Sequence, residues 1–302
     1  MPGDYQDFSE KTREIYHQQH MRLVDDDTAM KRHLAMFSQE YFGLGEGWFA
    51  GKSILDAGCG DTAKALIRFY QFGARDLHGI DLGDEFIPIA RRSLECQGVP
   101  ENSVTFKSGS ILEIPYENSR FDFTCCHGVL VHLNNKDAVV TAFAELARVT
   151  KPDGYLYTVF GLVGGLFEEA ILPAVRKYYR ENEVFRILID NFSPKDFECV
   201  ISKIMEAHNI TEDLTAVCHF FDVDFCVFIQ NALQAPVRLK IPEDFIRKQF
   251  SENGFGEPRR LKRFVNRNNI RKFFAPLHFD NEYPISRILY GSGNLEFIAR
   301  KV

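Results

Sequence analysis

No apolar run in the sequence is long enough to cross a lipid bilayer. The longest, residues 155–167, is broken by glycines and ends at Glu168-Glu169, whereas a membrane helix needs roughly 20 apolar residues. Cysteine provides no disulfide framework: there are seven, an odd number without regular spacing, and the first ten residues are polar and acidic rather than a secretory signal. We therefore expect reduced thiols, a cytoplasmic location and no membrane partner.

Paired metal ligands are also missing. The cysteines and histidines at 125–127, 218–219 and 226 show neither C-x-x-C nor H-x-x-x-H spacing, the patterns typical of zinc sites. We expect no metal, because a cysteine within a buried strand usually acts as a small apolar side chain.

Positive charge is in deficit, with a formal net charge of −6, which disfavours nucleic acid as a partner. One segment, residues 259–272, departs from this balance, because basic and aromatic residues are interleaved there as in a nucleic-acid groove. We favour a solvated strand face and its following loop; attraction of a small anionic substrate is a third interpretation. The residues concerned are Arg259, Arg260, Lys262, Arg263, Arg267, Arg271 and Lys272, with Phe264, Phe273 and Phe274.

The most informative segment is a buried strand that turns through glycines into a helix, at residues 54–62 (ILDAGCGDT). Gly58 and Gly60 permit positive φ and leave no side chain between the backbone and a ligand. Asp61 and Thr62 are expected to cap the following helix. A turn of this kind is where a nucleotide-like cofactor binds.

A second strand, residues 77–81, ends on Asp81 about 20 residues after the glycine loop, where such folds place a carboxylate on ribose hydroxyls. The dinucleotide fingerprint G-x-G-x-x-G/A is met only at its permissive last position, by Ala63. Asp56 favours another ligand, because a carboxylate before the first glycine repels a pyrophosphate and attracts a sulfonium or ammonium group.

Asp56-x-Gly58-x-Gly60 resembles the first motif of the class I S-adenosylmethionine-dependent methyltransferases, D/E-x-G-x-G-x-G, with Thr62 in place of the third glycine. Segments resembling later motifs of that family follow in order at 106–115, 121–133 and 148–156. The resemblance implies S-adenosylmethionine as cofactor. It also implies contacts to that cofactor from Asp56, Gly58, Gly60, Asp81, Leu82, Ser110, Ile111 and His127, although Ser110 stands where the family often has an acidic residue.

The 302 residues, 45% of them apolar and 26% charged, suit one sizeable core with additions. Alternating strand and helix patterns over 53–160 predict an α/β fold, and the resemblance implies a Rossmann-like, doubly wound, mostly parallel seven-stranded sheet with an antiparallel last strand. We predict an N-terminal helical segment (1–47, with helices near 12–21 and 28–42), a core (48–160 and 241–302, with last strands at 258–265 and 294–302) and a helical cap insertion (161–240).

Methyl transfer depends mainly on alignment and on exclusion of water, and a base is needed only where the nucleophile carries a proton. His127, at the end of the fourth strand, is the candidate catalytic base. The candidate substrate-binding residues are His132 and His219. The alternatives are a structural hydrogen bond for His132 and a polar side chain satisfied on an apolar helix for His219.

Loops that mark several substrate classes of the resembled family are missing. The sequence has no Asn/Asp-Pro-Pro-Tyr loop after strand four, no Pro-Cys pair and no recognisable paired-glutamate loop. A capped pocket on an acidic chain favours a small-molecule nucleophile with an oxygen, nitrogen or sulfur acceptor atom. The alternatives are an RNA or protein methyltransferase using 259–272, an aminocarboxypropyl transferase and a non-catalytic binding protein; no oligomeric state follows.

Overall fold

Strands and helices alternate from Ser53 to Phe160 in the computed structural model, which describes residues 2–161, 163–211, 221–236, 238–262 and 283–302. The elements of this part are β1 (Ser53–Ala57), α4 (Lys64–Gln71), β2 (Asp76–Asp81), α5 (Phe86–Cys96), β3 (Val104–Ser108), β4 (Phe121–His127), α6 (Lys136–Val149) and β5 (Thr150–Phe160). Two short 3-10 turns, Glu101–Ser103 and Leu130–His132, precede β3 and follow β4.

One seven-stranded sheet has the order β3-β2-β1-β4-β5-β7-β6, where β6 is Arg259–Arg260 and β7 is Leu295–Arg300. Strands β1 to β5 pair in parallel, whereas β7 runs antiparallel to both β5 and β6. The predicted Rossmann-like sheet with its antiparallel strand is therefore confirmed. The strand order reverses between β1 and β4, and folds of this type bind ligands outside the carboxyl ends of the strands at such a point.

The strand predicted at 258–265 pairs over a shorter length. Only Arg259 and Arg260 form β6, although the Leu261 amide still donates to the Glu296 carbonyl at 2.8 Å. Residues 263–265 of the predicted strand lie outside the described residues. The last predicted strand, at 294–302, corresponds to β7.

Apolar side chains cover both faces of the sheet. All five residues of β1 are buried, as a parallel strand between two packed layers requires. On one face the rings of an aromatic cluster contact one another: Phe37, Phe42, Phe49, Phe69 and Phe123. The opposite face is covered by Leu146, Phe143, Phe160, Phe250 and Phe297. Ring packing of this kind stabilises the sheet whose edge carries the site.

Three helices precede the sheet: α1 (Pro2–Val24), α2 (Asp27–Leu34) and α3 (Gln39–Phe42). The single helix predicted near 28–42 is divided, because Ser38 accepts a hydrogen bond from the Tyr41 amide and begins α3. In α1, the Arg22 guanidinium donates to Gln230 Oε1 at 2.7 Å. The N-terminal segment is thus joined to the helices that follow β5.

The predicted insertion is helical where the structure describes it. A π-turn (Phe167–Ile171) leads into α7 (Leu172–Glu181), and α8 (Glu183–Asn191), α9 (Pro194–Ala207) and α10 (Val223–Gln234) follow, before α11 (Glu243–Glu252) of the core and α12 (Pro284–Tyr290). Gly165 has φ +78°, and a Cβ there would overlap the Gly291 amide, so the start of the insertion is tightly packed against the segment before β7. No helix in the described ranges is long and apolar enough to cross a membrane.

Candidate active site

The glycine loop after β1 is held against the end of β2. The amides of Gly58 and Cys59 both donate to the Ile80 carbonyl, at 2.8 and 3.0 Å. Gly58 has φ +90°, and a Cβ on it would overlap Val129 in the loop after β4. Glycine is therefore required here by both the backbone conformation and the available space.

Helix α4 begins without the predicted side-chain cap. Its N-cap residue is Ala63, in the left-handed region at φ +45°, and no side chain bonds to the first turn. The Asp61 carboxylate instead lies 2.9 Å from His17 Nδ1, and the Thr62 carbonyl accepts from Ser93 Oγ at 2.7 Å. The capping prediction was wrong because a long-range contact from α1 takes the Asp61 carboxylate.

The second strand-end carboxylate bridges two loops. Asp81 Oδ2 accepts from the Gly60 amide and Oδ1 from the Leu82 amide, both at 2.7 Å. Burial raises the pKa of Asp81 to about 6; the two amide donors oppose this increase and the charge of nearby Asp61 adds to it. Asp81 is thus fixed beside the glycine loop, as the spacing of the two motifs predicts.

Asp56 is a deeply buried carboxylate at this edge of the sheet, with 3% exposure. Its Oδ1 atom has no hydrogen-bond partner in the described part of the chain. Burial raises its pKa to about 7, although a hydrogen bond with the Cys125 thiol opposes the shift. A buried carboxylate oxygen without a partner is costly unless a cation or donor reaches it, so Oδ1 suits a positively charged ligand group.

The remaining predicted cofactor residues lie on adjoining loops. The Gly109 amide donates to the Asp81 carbonyl at 2.9 Å, which fixes the loop after β3 beside the end of β2. In that loop Ile111 is buried, and the Ser110 hydroxyl accepts from the Leu112 amide at 3.1 Å. Leu82 is 36% exposed and therefore has an open face.

His127 ends β4 beneath aromatic side chains. Its ring contacts Phe37 edge-on at 5.4 Å, and Nδ1 lies 3.4 Å from the Tyr157 hydroxyl. That hydroxyl donates at 2.8 Å to Oε2 of Glu296, a buried residue of β7, which also accepts from Tyr41. Since a phenol has one proton to donate, the His127 contact requires Nδ1 to be the donor. A neutral His127 then carries its lone pair on Nε2.

Helix α1 brings to this edge three side chains that the sequence motifs did not identify. Tyr16 Oη lies 2.8 Å from His132 Nε2, His17 pairs with Asp61, and His20 packs against Gly60, where a Cβ would lie 3.2 Å from its Nδ1. Burial lowers the pKa of His20 to about 3, and the charges of Lys64, His33 and His17 add to the shift. In the sequence, the i, i+4 spacing of Tyr16 and His20 indicates that these two side chains lie on the same face of a helix.

The remaining residues that the sequence singled out either lie outside the described residues or make internal contacts. His219 and the basic residues Arg263, Arg267, Arg271 and Lys272 lie outside the described residues. Arg259 donates to the Phe42 carbonyl, and Arg260 pairs with Glu243 at 3.2 Å; both therefore make internal contacts instead of forming a bare basic face. Among the described residues, no three metal-ligating side chains are grouped.

Comparison with known proteins gives a consistent assignment. Residues 55–158 match the family described as a methyltransferase domain. An uncharacterised methyltransferase of Schizosaccharomyces pombe is 33% identical over 108 residues, covering 34% of this chain and 37% of the relative. An O-methyltransferase of Aspergillus nomiae is 28% identical over 139 residues, covering 45% and 56%. The chain thus spans about a third to a little over a half of the length of these relatives.

A solved structure shares the fold over nearly the whole chain. It is a chain in the complex between the Haloferax volcanii Trm112 methyltransferase activator and a methyltransferase, with 12% identity, a TM-score of 0.50 and coverage of 94% of this chain and 96% of that one. At this identity the similarity concerns the fold. Together with the ordered motifs and the strand order, the matched region identifies residues 55–158 as a methyltransferase domain with the fold of the class I S-adenosylmethionine-dependent enzymes.

Proposed function

We propose that the chain methylates an oxygen, nitrogen or sulfur atom of a small-molecule nucleophile, using S-adenosylmethionine, beneath a lid formed by α1 and the helical insertion. The observation that carries the proposal is the buried Oδ1 of Asp56, unpartnered in the described part of the chain, beside a glycine loop fixed by Asp81. Two carboxylates at this position disfavour a pyrophosphate and suit a cationic cofactor.

The residues at the sheet edge fit the cofactor chemically. Gly58 and Gly60 would allow its amino-acid portion to approach the backbone, and the Asp81 carboxylate would hold its ribose hydroxyls. Leu82, Ser110 and Ile111 would line the adenine. When bound, the cofactor supplies a methyl carbon activated by a sulfonium.

We assign His127 the role of general base for a protonated acceptor. Its Nδ1 atom donates to Tyr157, which is in turn held by Glu296, so that Nε2 is the atom able to accept a proton. Base catalysis of this kind contributes about 10²–10⁴-fold. For an acceptor that carries no proton, the same ring would serve in alignment alone.

The acceptor site would be bounded by Tyr16 and His132. Helix α1 covers the glycine loop through His17 and His20, and its Tyr16 reaches the loop after β4. A covering helix would exclude water from the reacting atoms and align them, the effects on which methyl transfer depends most. The O-methyltransferase among the relatives supports an oxygen acceptor.

The first experiment is parallel calorimetric titration with S-adenosylmethionine, S-adenosylhomocysteine and NAD. Binding of the two sulfur nucleotides without NAD is expected, whereas binding of NAD alone would contradict the assignment. A labelled methyl donor and a panel of phenols, amines and thiols would follow, with mass spectrometry of the product. A mass increase for an aminocarboxypropyl group instead of a methyl group would replace the proposed reaction with the other transfer from the same cofactor.

A further inference from the structure

Two guanidinium groups lie close to the acceptor side of the site. Arg238 lies over Gly161, the residue after β5, where a Cβ would be 3.5 Å from its Nη2. The next amide, that of Leu239, donates at 2.7 Å to the carbonyl of Val131 in the loop after β4. Arg238 is therefore held between the ends of β4 and β5. Arg176, on α7, donates to the Ala235 carbonyl and is half-buried.

Glu168 pairs with Arg238, and its charge also acts on Arg176. Glu168 is 7% exposed, and its Oε1 lies 3.3 Å from Arg238 Nη2. Arg176 has no carboxylate within ion-pair distance in the described ranges, and its buried Nε atom has no hydrogen-bond partner there. Burial lowers the pKa of Arg176, and the charges of Arg180 and Arg238 lower it further. The charge of Glu168 opposes this decrease. Among the described residues, the two guanidinium groups thus share one nearby carboxylate, which is in ion-pair contact with Arg238 and not with Arg176.

The hydroxyl of Tyr16 connects this cluster to the predicted acceptor site. Burial raises the pKa of Tyr16, and the positive charges of Arg238 and Arg176 oppose that increase. The contacts give the same connection: Leu239, next to Arg238, bonds to Val131, and the following residue, His132, bonds to Tyr16 Oη at 2.8 Å. The guanidinium groups thus adjoin the loop after β4, whereas the carboxylates Asp56 and Asp81 lie at the ends of β1 and β2.

We propose that Arg176, supported by Arg238, binds a carboxylate or phosphate group of the acceptor, and hence that the substrate is an anionic small molecule. This inference rests on the proposed methyltransferase function and specifies its substrate class. A half-buried guanidinium with no ion-pair partner among the described residues is unfavourable in the absence of ligand. The planar fork of a guanidinium matches the paired oxygens of both anions and forms charge-assisted hydrogen bonds with them.

The test measures anion binding to protein saturated with S-adenosylhomocysteine. Sodium benzoate, its neutral isostere benzamide and inorganic phosphate are titrated by calorimetry into the wild type, Arg176→Gln, Arg176→Lys and Arg180→Gln. Arg180→Gln is the matched control, because it removes one positive charge from an exposed position on the same helix. Thermal unfolding of each variant verifies that it is folded.

Benzoate or phosphate is expected to bind the wild type at least about tenfold more tightly than benzamide. This preference should disappear in Arg176→Gln, persist in Arg176→Lys and change only slightly in Arg180→Gln, whose charge acts on Arg176 from an exposed position. The relative affinities of benzoate and phosphate identify which anion the acceptor carries. Equal binding of benzoate and benzamide, no saturable anion binding, or an unchanged preference in Arg176→Gln would overturn the inference. Failure of S-adenosylhomocysteine to bind would instead contradict the proposed function.

Discussion

Tyr16 Oη and His132 Nε2 form a 2.8 Å hydrogen bond between residues 116 positions apart in the sequence. It joins α1 to the loop after β4, and the Tyr16 ring also packs on the His132 ring at 4.9 Å. The first helix of the chain is therefore part of the wall of the candidate active site. Its contacts with that wall, and the roles assigned to the residues beneath it, lead to five predictions.

Replacing Asp81 by alanine should weaken binding of S-adenosylhomocysteine by about 100-fold, because each hydrogen bond to a charged partner contributes roughly 1.5–3 kcal/mol. Calorimetric titration measures the effect. The variant also removes the acceptor for the Gly60 and Leu82 amides, so the loop itself would loosen.

The matched control for this variant is Asp84→Ala, which removes an exposed carboxylate three residues further along the chain. Its dissociation constant should equal that of the wild type. Equal weakening in both variants would mean that general charge, and not a specific contact from Asp81, determines affinity for the cofactor.

Replacing His127 by alanine should leave S-adenosylhomocysteine binding intact and lower kcat by about 10²–10⁴-fold for an acceptor that carries a proton. Single-turnover rates with the acceptor found in the screen would measure the loss. Normal turnover would eliminate His127 as the base.

A milder variant tests how His127 is oriented. Tyr157→Phe removes the oxygen that accepts from Nδ1, and the loss of one such hydrogen bond should lower kcat about tenfold. Its pH profile should change as well, since the ring is no longer held in one tautomer. A lower melting temperature without a change in kcat would indicate that Tyr157 acts only in packing.

The sequence predicts the edge of the sheet that carries the candidate site, because its signals are local. Asp56 and Asp81 lie at the carboxyl ends of β1 and β2, Gly58 and Gly60 follow β1, and parallel strands end at one edge. The contacts of α1 could not be predicted in the same way, since which face of a helix docks depends on packing between distant segments. The His17 to Asp61 contact, 44 residues apart, also explains why the expected helix cap failed. Arg176 was missed for the same reason, as nothing local distinguishes it from exposed Arg180.

Docking of α1 in solution can be measured with Tyr16→Phe, His132→Ala and the double variant. Each single variant should reduce the free energy of unfolding by about 1 kcal/mol, the typical net contribution of a hydrogen bond. The double variant should lose less than the sum of the two, because both changes remove the same interaction. Urea unfolding monitored by circular dichroism provides the three values, and strict additivity would show that the two side chains do not interact.

The buried Asp56 carboxylate should make stability depend on pH in a recognisable way. Its pKa is about 7 in the fold against an ordinary value of 3.8. Between those two pH values the native protein binds more protons at this position than the unfolded chain does. The contribution of Asp56 to stability is therefore fully present below about pH 4 and is lost as pH rises to about 7.

The Asp56→Asn variant removes this titration, so its unfolding free energy should rise relative to the wild type as pH increases through that window. The slope is about 1.4 kcal/mol per pH unit, as expected for a single group. His20, whose pKa is lowered to about 3, has the opposite dependence, but both proteins contain it and its contribution cancels in the difference. Urea unfolding from pH 4.5 to 8 gives the two curves, with Asp84→Asn as the exposed control. Parallel curves for Asp56→Asn and the wild type would contradict the raised pKa of Asp56 in the fold.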